Sequence, residues 1–229
     1  LSDEHARAVS GTASLGLDKD GNFTALWVDA RIDAGAYLSR RTKGLLNNMG
    51  GVAGQYKTAA IATQMTFFFT NTMQTSPYRG FGRPEATYVI ERLIDQAARE
   101  TGRDALALRQ QNLVSPDAMP YQTALTFLYD CGDFPRIVAA AAKNADYARF
   151  AERRKESESR GLLRGVGIAN PIEVAGGPLK QIRKDIARIT VRPDGQIVIT
   201  PGLMSVGQGH ETALARMAST RLGVDMDNI

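Results

Sequence analysis

Residues 78–102 read "YRGFGRPEATYVIERLIDQAARETG" and carry the clearest structural signal in the chain. Pro84 suits the first position of a helix, and Gly102 suits the position just after one. Between them, apolar residues recur at helical spacing along one face: Ala86, Val89, Ile90, Leu93, Ile94 and Ala97. The stretch therefore predicts a long amphipathic helix that is entered directly from a loop of arginines and glycines.

Strand-like patterns precede this helix. Residues 6–38 alternate apolar and polar side chains around the turn signal "DKDGN" at 18–22, which predicts a β-hairpin. Residues 56–70 end in a β-branched and aromatic run, which predicts a buried strand. The intervening residues 42–54 are rich in glycine and asparagine and favour neither a helix nor a strand.

More helices and a second β-rich section follow. The patterns predict helices at 104–112, 134–145 and 147–159, then strands at 162–175, 186–193 and 196–204. A hairpin turn is predicted at "RPDG", 192–195, and a last helix after "VGQGHET". This order predicts an α+β fold with two β-rich sections, in separate sheets, joined by a helical section. We expect a first domain at 1–160 and a second that begins within 161–229.

The composition is that of a soluble globular protein with a sizeable core. Of the 229 residues, 43% are hydrophobic and 23% are charged. The net charge of +4 is dispersed, and the charged run at 152–160 alternates in sign, so we expect no nucleic-acid partner. No stretch approaches the ~20 apolar residues of a membrane span. Because the chain begins with Leu1 rather than Met, we expect a piece of a longer polypeptide.

Few residues suit metal or nucleophilic chemistry. Cys131 is the only cysteine, which excludes an internal disulfide and favours a reducing compartment, the cytoplasm. We expect it to be a buried small hydrophobe. His5 and His210 are too few and too far apart in sequence for a metal cluster, so we predict no metal ligands. His210 stands at a predicted helix start and is expected to belong to its cap region.

Two strand-to-helix junctions carry paired glycines, namely Gly80 with Gly82, and Gly207 with Gly209. A helix N-terminus presents unpaired amides and positive partial charge, which suits a phosphate or another anion. Arg79 adds formal charge at the first junction, and Gln208 can donate and accept at the second. The alternative is that the glycines only form turns. An anion- or nucleotide-binding module and a non-catalytic scaffold segment both stay open on these patterns alone.

Three segments taken together resemble one family: "SPYRGFGRPEATYVIERLIDQAA", "ALRQQNLV" and "VGQGHETALARMAS". They are similar to the molybdopterin-binding large subunit of xanthine dehydrogenase, aldehyde oxidase and carbon monoxide dehydrogenase, and the likeness runs over essentially the whole chain. It implies the central part of a larger molybdopterin-binding domain. The implied cofactor is molybdenum–molybdopterin, with the cytosine dinucleotide form common among bacterial members. Iron–sulfur and FAD modules would lie on partner subunits or domains, in a homodimer of such assemblies.

The resemblance also implies roles for individual residues. In that family the arginine of the R-G-F-G motif and the glutamine of the G-Q-G motif contact the cofactor, and here these are Arg79 and Gln208. The neighbouring glycines would let the cofactor approach the backbone. These are Gly80, Gly82, Gly207 and Gly209. Phe81, Asn47 and Ile168 would lie in the substrate pocket.

The implied reaction is hydroxylation of an aldehyde or an aromatic heterocycle, in which Mo–OH attacks carbon and hydride passes to a sulfido ligand. The base would be a glutamate nearer the C-terminus of the complete subunit, so no catalytic residue is expected here and the chain alone should be inactive. Gly80 stands where carbon monoxide dehydrogenases have a copper-binding cysteine. Asn47 and Ile168 stand where xanthine oxidases have a substrate-clamping arginine and a second phenylalanine. A purine and carbon monoxide are therefore disfavoured as substrates.

Overall fold

The computed structural model describes residues 5–39, 44–173 and 185–229, with the side chains of Leu46 and Asn47 left undescribed. The chain divides into two compact units, Leu1–Leu179 and Lys180–Ile229. The predicted domain boundary at 160/161 stays a prediction.

The first unit contains five strands and five α-helices among its described residues. The strands are β1 (Val9–Leu17), β2 (Phe23–Gly35), β3 (Ala60–Phe69), β4 (Tyr121–Gln122) and β5 (Leu128–Tyr129). The helices are α1 (Gly44–Met49), α2 (Arg83–Thr101), α3 (Ala105–Asn112), α4 (Phe134–Asn144) and α5 (Phe150–Ser159). Short 3-10 turns at Gly50–Ala53, Pro116–Ala118 and Tyr147–Arg149 connect them.

The main sheet has the order β1-β2-β3. β1 and β2 form the predicted antiparallel hairpin, with Leu15 opposite Leu26, whereas β3 runs parallel to β2. A parallel neighbour cannot follow through a tight turn, and the residues between β2 and β3 supply α1 and a 3-10 turn. The ambiguous 42–54 stretch is thus part of the crossover connection.

α2 covers this sheet, as its periodicity predicts. Alternate residues of β2 are buried, including Leu26 and Val28, and they share one core with Ile90 and Ile94 of α2. Gly102 ends the helix in a left-handed conformation (φ 69°), and its amide donates to the Ala98 carbonyl. The helix therefore carries the core on one face and delivers the arginine- and glycine-rich loop at its N-terminus.

The second unit begins with an antiparallel hairpin and ends with a helix. β6 (Ala187–Val191) pairs with β7 (Ile197–Pro201) around the predicted turn at 192–195. α6 (His210–Leu222) starts directly after Gly209 and ends at Gly223, which is left-handed. Its first residue is His210, in agreement with the predicted cap-region position.

The α+β class is confirmed, with the strands of the two β-rich sections in separate sheets. The strand predicted at 162–175 is wrong over 162–173, which form no strand, and its last two residues lie outside the described residues. Cys131 is exposed rather than buried. The two-residue strands β4 and β5 had no sequence prediction. Among the described residues, no helix combines the length and the apolar character needed to cross a bilayer.

Candidate functional site

The loop at 78–82 holds Arg79 out from the protein body. The Arg79 side chain is exposed, and within the described residues its guanidinium has no hydrogen bond or ion pair. A guanidinium presents five donors in a planar fork that matches phosphate and carboxylate oxygens. The loop therefore displays a cationic group that could bind an anionic ligand.

Arg7, two residues before β1, contacts this loop. The sequence patterns did not single it out. Its Nη2 donates to the Arg79 carbonyl at 2.7 Å, and its guanidinium lies 5.1 Å from the centroid of the Tyr78 ring. Its Nη1 is 3.8 Å from the Glu85 carboxylate. One side chain thus contacts the loop, its aromatic residue and the first turn of α2. No local spacing could have revealed it, because it is 72 residues away from Arg79.

Asn48, at the end of α1, fixes the other side of the loop. Its Nδ2 donates to the Phe81 carbonyl at 2.6 Å. Phe81 has φ 21°, an uncommon conformation for a residue other than glycine, and its ring is half-buried against the core. Asn47, predicted for the substrate pocket, belongs to α1, but its side chain lies outside the described residues.

The carboxylate of Glu85 already binds a backbone amide at the N-terminus of α2. Glu85 Oε2 accepts from the Gly82 amide at 2.9 Å, which satisfies a donor at the helix start. Fewer unpaired backbone amides are therefore left to bind an anion at the start of this helix. The exposed Arg79 guanidinium remains as the principal attractive group of the predicted anion site.

The four motif glycines fall into two kinds. A Cβ at Gly80 would lie 2.9 Å from Pro84, and one at Gly82 would lie 2.8 Å from Asn48 Cβ, so the first pair is required by the chain's own packing. A Cβ at Gly207 or Gly209 would meet nothing within 4 Å. The backbone of the second pair is accordingly open to a ligand.

Gln208 uses its amide to order its own loop. Its Oε1 accepts from the Val206 amide at 2.6 Å, and its Nε2 donates to the Met204 carbonyl at 3.0 Å. The same Nε2 is 2.7 Å from His210 Nε2. The neighbouring Glu211 has its pKa lowered by hydrogen bonds from its own backbone amide and from the Ser205 hydroxyl. In this arrangement Gln208 shapes the glycine loop, and a direct contact with a ligand requires its side chain to exchange these partners.

Ile168 lies on the irregular segment 168–173 of the first unit and is half-buried. Its carbonyl accepts from Arg109 Nη2 at 3.2 Å. At the other end of the segment, Glu173 Oε1 is 2.7 Å from Arg83 Nε, an ion pair without hydrogen-bond alignment. Arg83 directly follows the glycine loop, so the segment and the loop are connected through α2.

Arg109 is the centre of a buried charge network. Its side chain is 0% exposed and bonds Glu91 Oε2 at 2.7 Å and Asp95 Oδ1 at 2.8 Å. Burial lowers the pKa of Arg109, but the charge of Glu91 and its hydrogen bond outweigh burial and hold the pKa above its ordinary value. Tyr56 also joins the network, and its hydroxyl donates to Glu91 Oε1 at 2.7 Å. Burial raises the pKa of this hydroxyl. Arg109 therefore stays charged and Tyr56 stays protonated at any ordinary pH.

Other chemistry is sparse in the described part of the chain. No three His, Cys, Asp or Glu side chains there converge as a metal site. A hydrogen bond with Asp130 and the Asp130 charge raise the pKa of the Cys131 thiol, which disfavours its reactive thiolate. An open groove of about 560 Å³ lies between β1, β2 and α2, and Arg7 and Glu85 line its edge. Fixed cationic and backbone groups, rather than a nucleophile, are thus the chemical resources of this site.

An α+β chain that displays an arginine loop and an open glycine loop at two helix starts has the features of a cofactor-binding domain. Two family models, each described as a molybdopterin cofactor-binding domain, match residues 1–113 and 140–229. The chain belongs to the family of molybdopterin-binding large subunits of xanthine dehydrogenase, aldehyde oxidase and carbon monoxide dehydrogenase, as its motifs predicted.

Similar proteins include molybdenum oxidoreductases. The carbon monoxide dehydrogenase large chain of Afipia carboxidovorans is 31% identical over 98% of this chain and 30% of its own length. The 6-hydroxypseudooxynicotine dehydrogenase complex subunit gamma of Paenarthrobacter nicotinovorans is 28% identical over 100% of this chain and 29% of its own. The crystal structure of quinoline 2-oxidoreductase from Pseudomonas putida 86 aligns with TM-score 0.86 at 29% identity, over 100% of this chain and 30% of that one. The chain thus spans about 30% of the length of these relatives.

Proposed function

We propose that the chain is the central portion of a molybdenum hydroxylase large subunit that oxidises an aromatic heterocycle or an aldehyde. The observation that carries the proposal is the likeness over the whole of this chain to quinoline 2-oxidoreductase. It is joined by an exposed Arg79, without a partner among the described residues, in the loop that the motifs single out. The relatives named for nicotine derivatives support a nitrogen heterocycle. Most of the relatives' length lies beyond the residues matched here, so the reaction belongs to the complete protein.

The described residues fit part of such a cofactor. In the first unit the exposed guanidinium of Arg79, which has no partner among the described residues, suits an anionic, oxygen-rich group. In the second unit, taken by itself, the open backbone at Gly207 and Gly209 suits such a group too. Gln208 would hold the glycine loop in shape, while Gly80 and Gly82 would serve the turn that presents Arg79. When bound, the molybdenum cofactor supplies the oxygen transfer and accepts the electrons. The chain's own groups bind and orient it.

The substrate pocket would include Phe81 and Ile168, with Asn47 at the adjoining helix. An apolar, partly aromatic wall favours a flat apolar ring over a polar purine. Gly80 in place of the cysteine expected for a copper–molybdenum site argues against carbon monoxide as the substrate. We further propose the cytosine dinucleotide form of the cofactor, iron–sulfur and flavin partners in a homodimer of such assemblies, and a cytoplasmic location.

The test uses the complete gene product, purified with its iron–sulfur and flavin partners. Molybdenum and releasable cytidine nucleotide should each approach one per large subunit, and quinoline, nicotine or benzaldehyde should reduce the flavin. A purified complex with neither molybdenum nor nucleotide would contradict the proposal and leave a scaffold segment as the better description.

A further inference from the structure

The irregular segment 168–173 is held almost entirely by side chains. Among the described residues it pairs with no strand, and three of its backbone groups bond side chains. The Ile168 carbonyl accepts from Arg109 at 3.2 Å, and the Asn170 amide donates to Glu91 Oε1 at 3.1 Å. The Pro171 carbonyl accepts from Gln55 Nε2 at 2.8 Å. Backbone polar groups need partners, and here the side chains of Arg109, Glu91 and Gln55 supply them in place of a neighbouring strand.

The holding groups are themselves immobilised. Arg109 also bonds the Ala105 and Glu91 carbonyls, so α2 and α3 are fixed to the same guanidinium. Asn170 is buried, and its Nδ2 donates to the Tyr56 hydroxyl at 2.8 Å, which in turn donates to Glu91. A fully satisfied buried network of this kind is rigid, because moving one member leaves others without partners.

We propose that the Arg109–Glu91–Tyr56–Asn170 network is a positioning device that sets where Ile168 stands in the substrate pocket. Glu91 and Arg83 lie on one helix, two turns apart, so that helix relates the network to the loop bearing Arg79 and Phe81. The proposal rests on the proposed function for the pocket role of Ile168. In this arrangement, buried residues that cannot touch the substrate influence which substrate the enzyme prefers.

The test compares two buried asparagines in the complete enzyme. Asn170→Ala removes the bond to Tyr56 and loosens the segment. Asn112→Ala is the matched control, because Asn112 is equally buried but fixes the β1–β2 turn through the Phe23 amide and the Gly21 carbonyl. Tyr56→Phe is the second test variant, since it deletes one hydroxyl from the network and keeps the ring.

Two measurements are made on each variant. Hydrogen exchange should accelerate in a peptide covering 165–173 for Asn170→Ala and Tyr56→Phe, and around 20–24 for Asn112→Ala. The ratio of kcat/KM for quinoline over pyridine should shift roughly 3- to 10-fold in the two network variants, the range for one lost hydrogen bond, with molybdenum content unchanged. The ratio should stay at the parent value in Asn112→Ala.

An unchanged selectivity ratio in both network variants would overturn the proposal, as would unchanged exchange in 165–173. An equal shift in Asn112→Ala would also overturn it, since the effect would then follow general loosening. A parent complex without molybdenum or turnover would instead refute the proposed function, while the exchange data still report whether the network holds the segment.

Discussion

Arg79 has an exposed charged side chain, while its backbone is held in place. Arg7 fixes its carbonyl, yet nothing among the described residues neutralises its guanidinium. A loop whose backbone is already held in place reduces the ordering cost of binding a ligand at this guanidinium. These features are consistent with the proposed role of the loop in binding the cofactor.

The first prediction concerns the substitution of Arg79 in the complete enzyme. Arg79→Ala should weaken cofactor binding by about 1.5–3 kcal/mol, the range for a charge-assisted hydrogen bond, and Arg79→Lys should rescue it poorly because lysine lacks the planar fork. Molybdenum per subunit after dialysis is the measurement. Arg92→Ala, an exposed arginine on α2, is the control. Full retention of molybdenum in Arg79→Ala would remove Arg79 from the site.

Phe81 serves two possible roles, and one variant separates them. Its ring is half-buried against the core, so Phe81→Ala should lower the free energy of unfolding by about 1–3 kcal/mol. A pocket wall should in addition lose selectivity for aromatic substrates, which is measured as kcat/KM for quinoline against acetaldehyde. Phe69→Ala, an exposed aromatic, is the control. Normal selectivity in a destabilised Phe81→Ala would mean that the ring only packs.

At the scale of elements, the sequence patterns succeed where burial alone decides structure. α2 and the hairpin of β1 and β2 follow their periodicities because one face of each meets the core. The segment from 162 to 173 has a strand-like pattern but no strand, and at 168–171 its backbone bonds Arg109, Glu91 and Gln55 instead. Such partners come from distant side chains. Arg7 escaped prediction for the same reason.

The buried ion pair between Arg109 of α3 and Glu91 of α2 leads to a prediction about stability. Arg109→Met leaves Glu91 buried without its counter-charge and should cost about 3–5 kcal/mol of stability. The double variant Arg109→Met with Glu91→Leu should lie closer to the parent, because neither charge then stays uncompensated. Chemical denaturation measures both, with Arg92→Met as the exposed control. A single variant more stable than the double would contradict the role assigned to Glu91.

Asp33 ties the ends of β2 and β3 and predicts a pH dependence. The Thr70 hydroxyl at 2.6 Å and then the Gly35 amide at 2.7 Å lower the pKa of Asp33 below its ordinary value of 3.8. Its hydrogen bonds therefore stabilise the fold above that value, and their contribution is lost as the pH falls through the lower folded pKa. Asp33→Ala should flatten the fall of stability below about pH 4, measured by denaturation across pH.

The control for Asp33 is Asp117→Ala, which changes an exposed aspartate outside the sheet. The two variants remove the same charge from the chain, so a difference between their acid limbs reports the local hydrogen bonds. If Asp33→Ala and the parent lose stability in parallel on acidification, the tie between β2 and β3 does not control the acid response.

At the scale of the molecule, the chain carries more apolar surface than its own folding covers. Leu163 is 98% exposed, Met204 77% and Ile186 77%. Where such side chains form a contiguous patch, the patch marks a surface that another part of a protein covers. The relatives are about three times as long as the part matched here, which agrees with coverage by the rest of a large subunit.

The last prediction concerns the 229-residue chain on its own, which should bind no molybdenum cofactor. Arg79 and the glycine loop offer on the order of two charge-assisted contacts, together about 3–6 kcal/mol. Association costs an estimated 4–15 kcal/mol in lost freedom, so the surplus is small or absent. Gln208 adds little, because its amide is already bonded to Val206 and Met204. Elemental analysis of the purified chain is the measurement, with the complete gene product as the control. Stoichiometric molybdenum in the chain alone would show that these residues hold the cofactor without the remainder of the subunit.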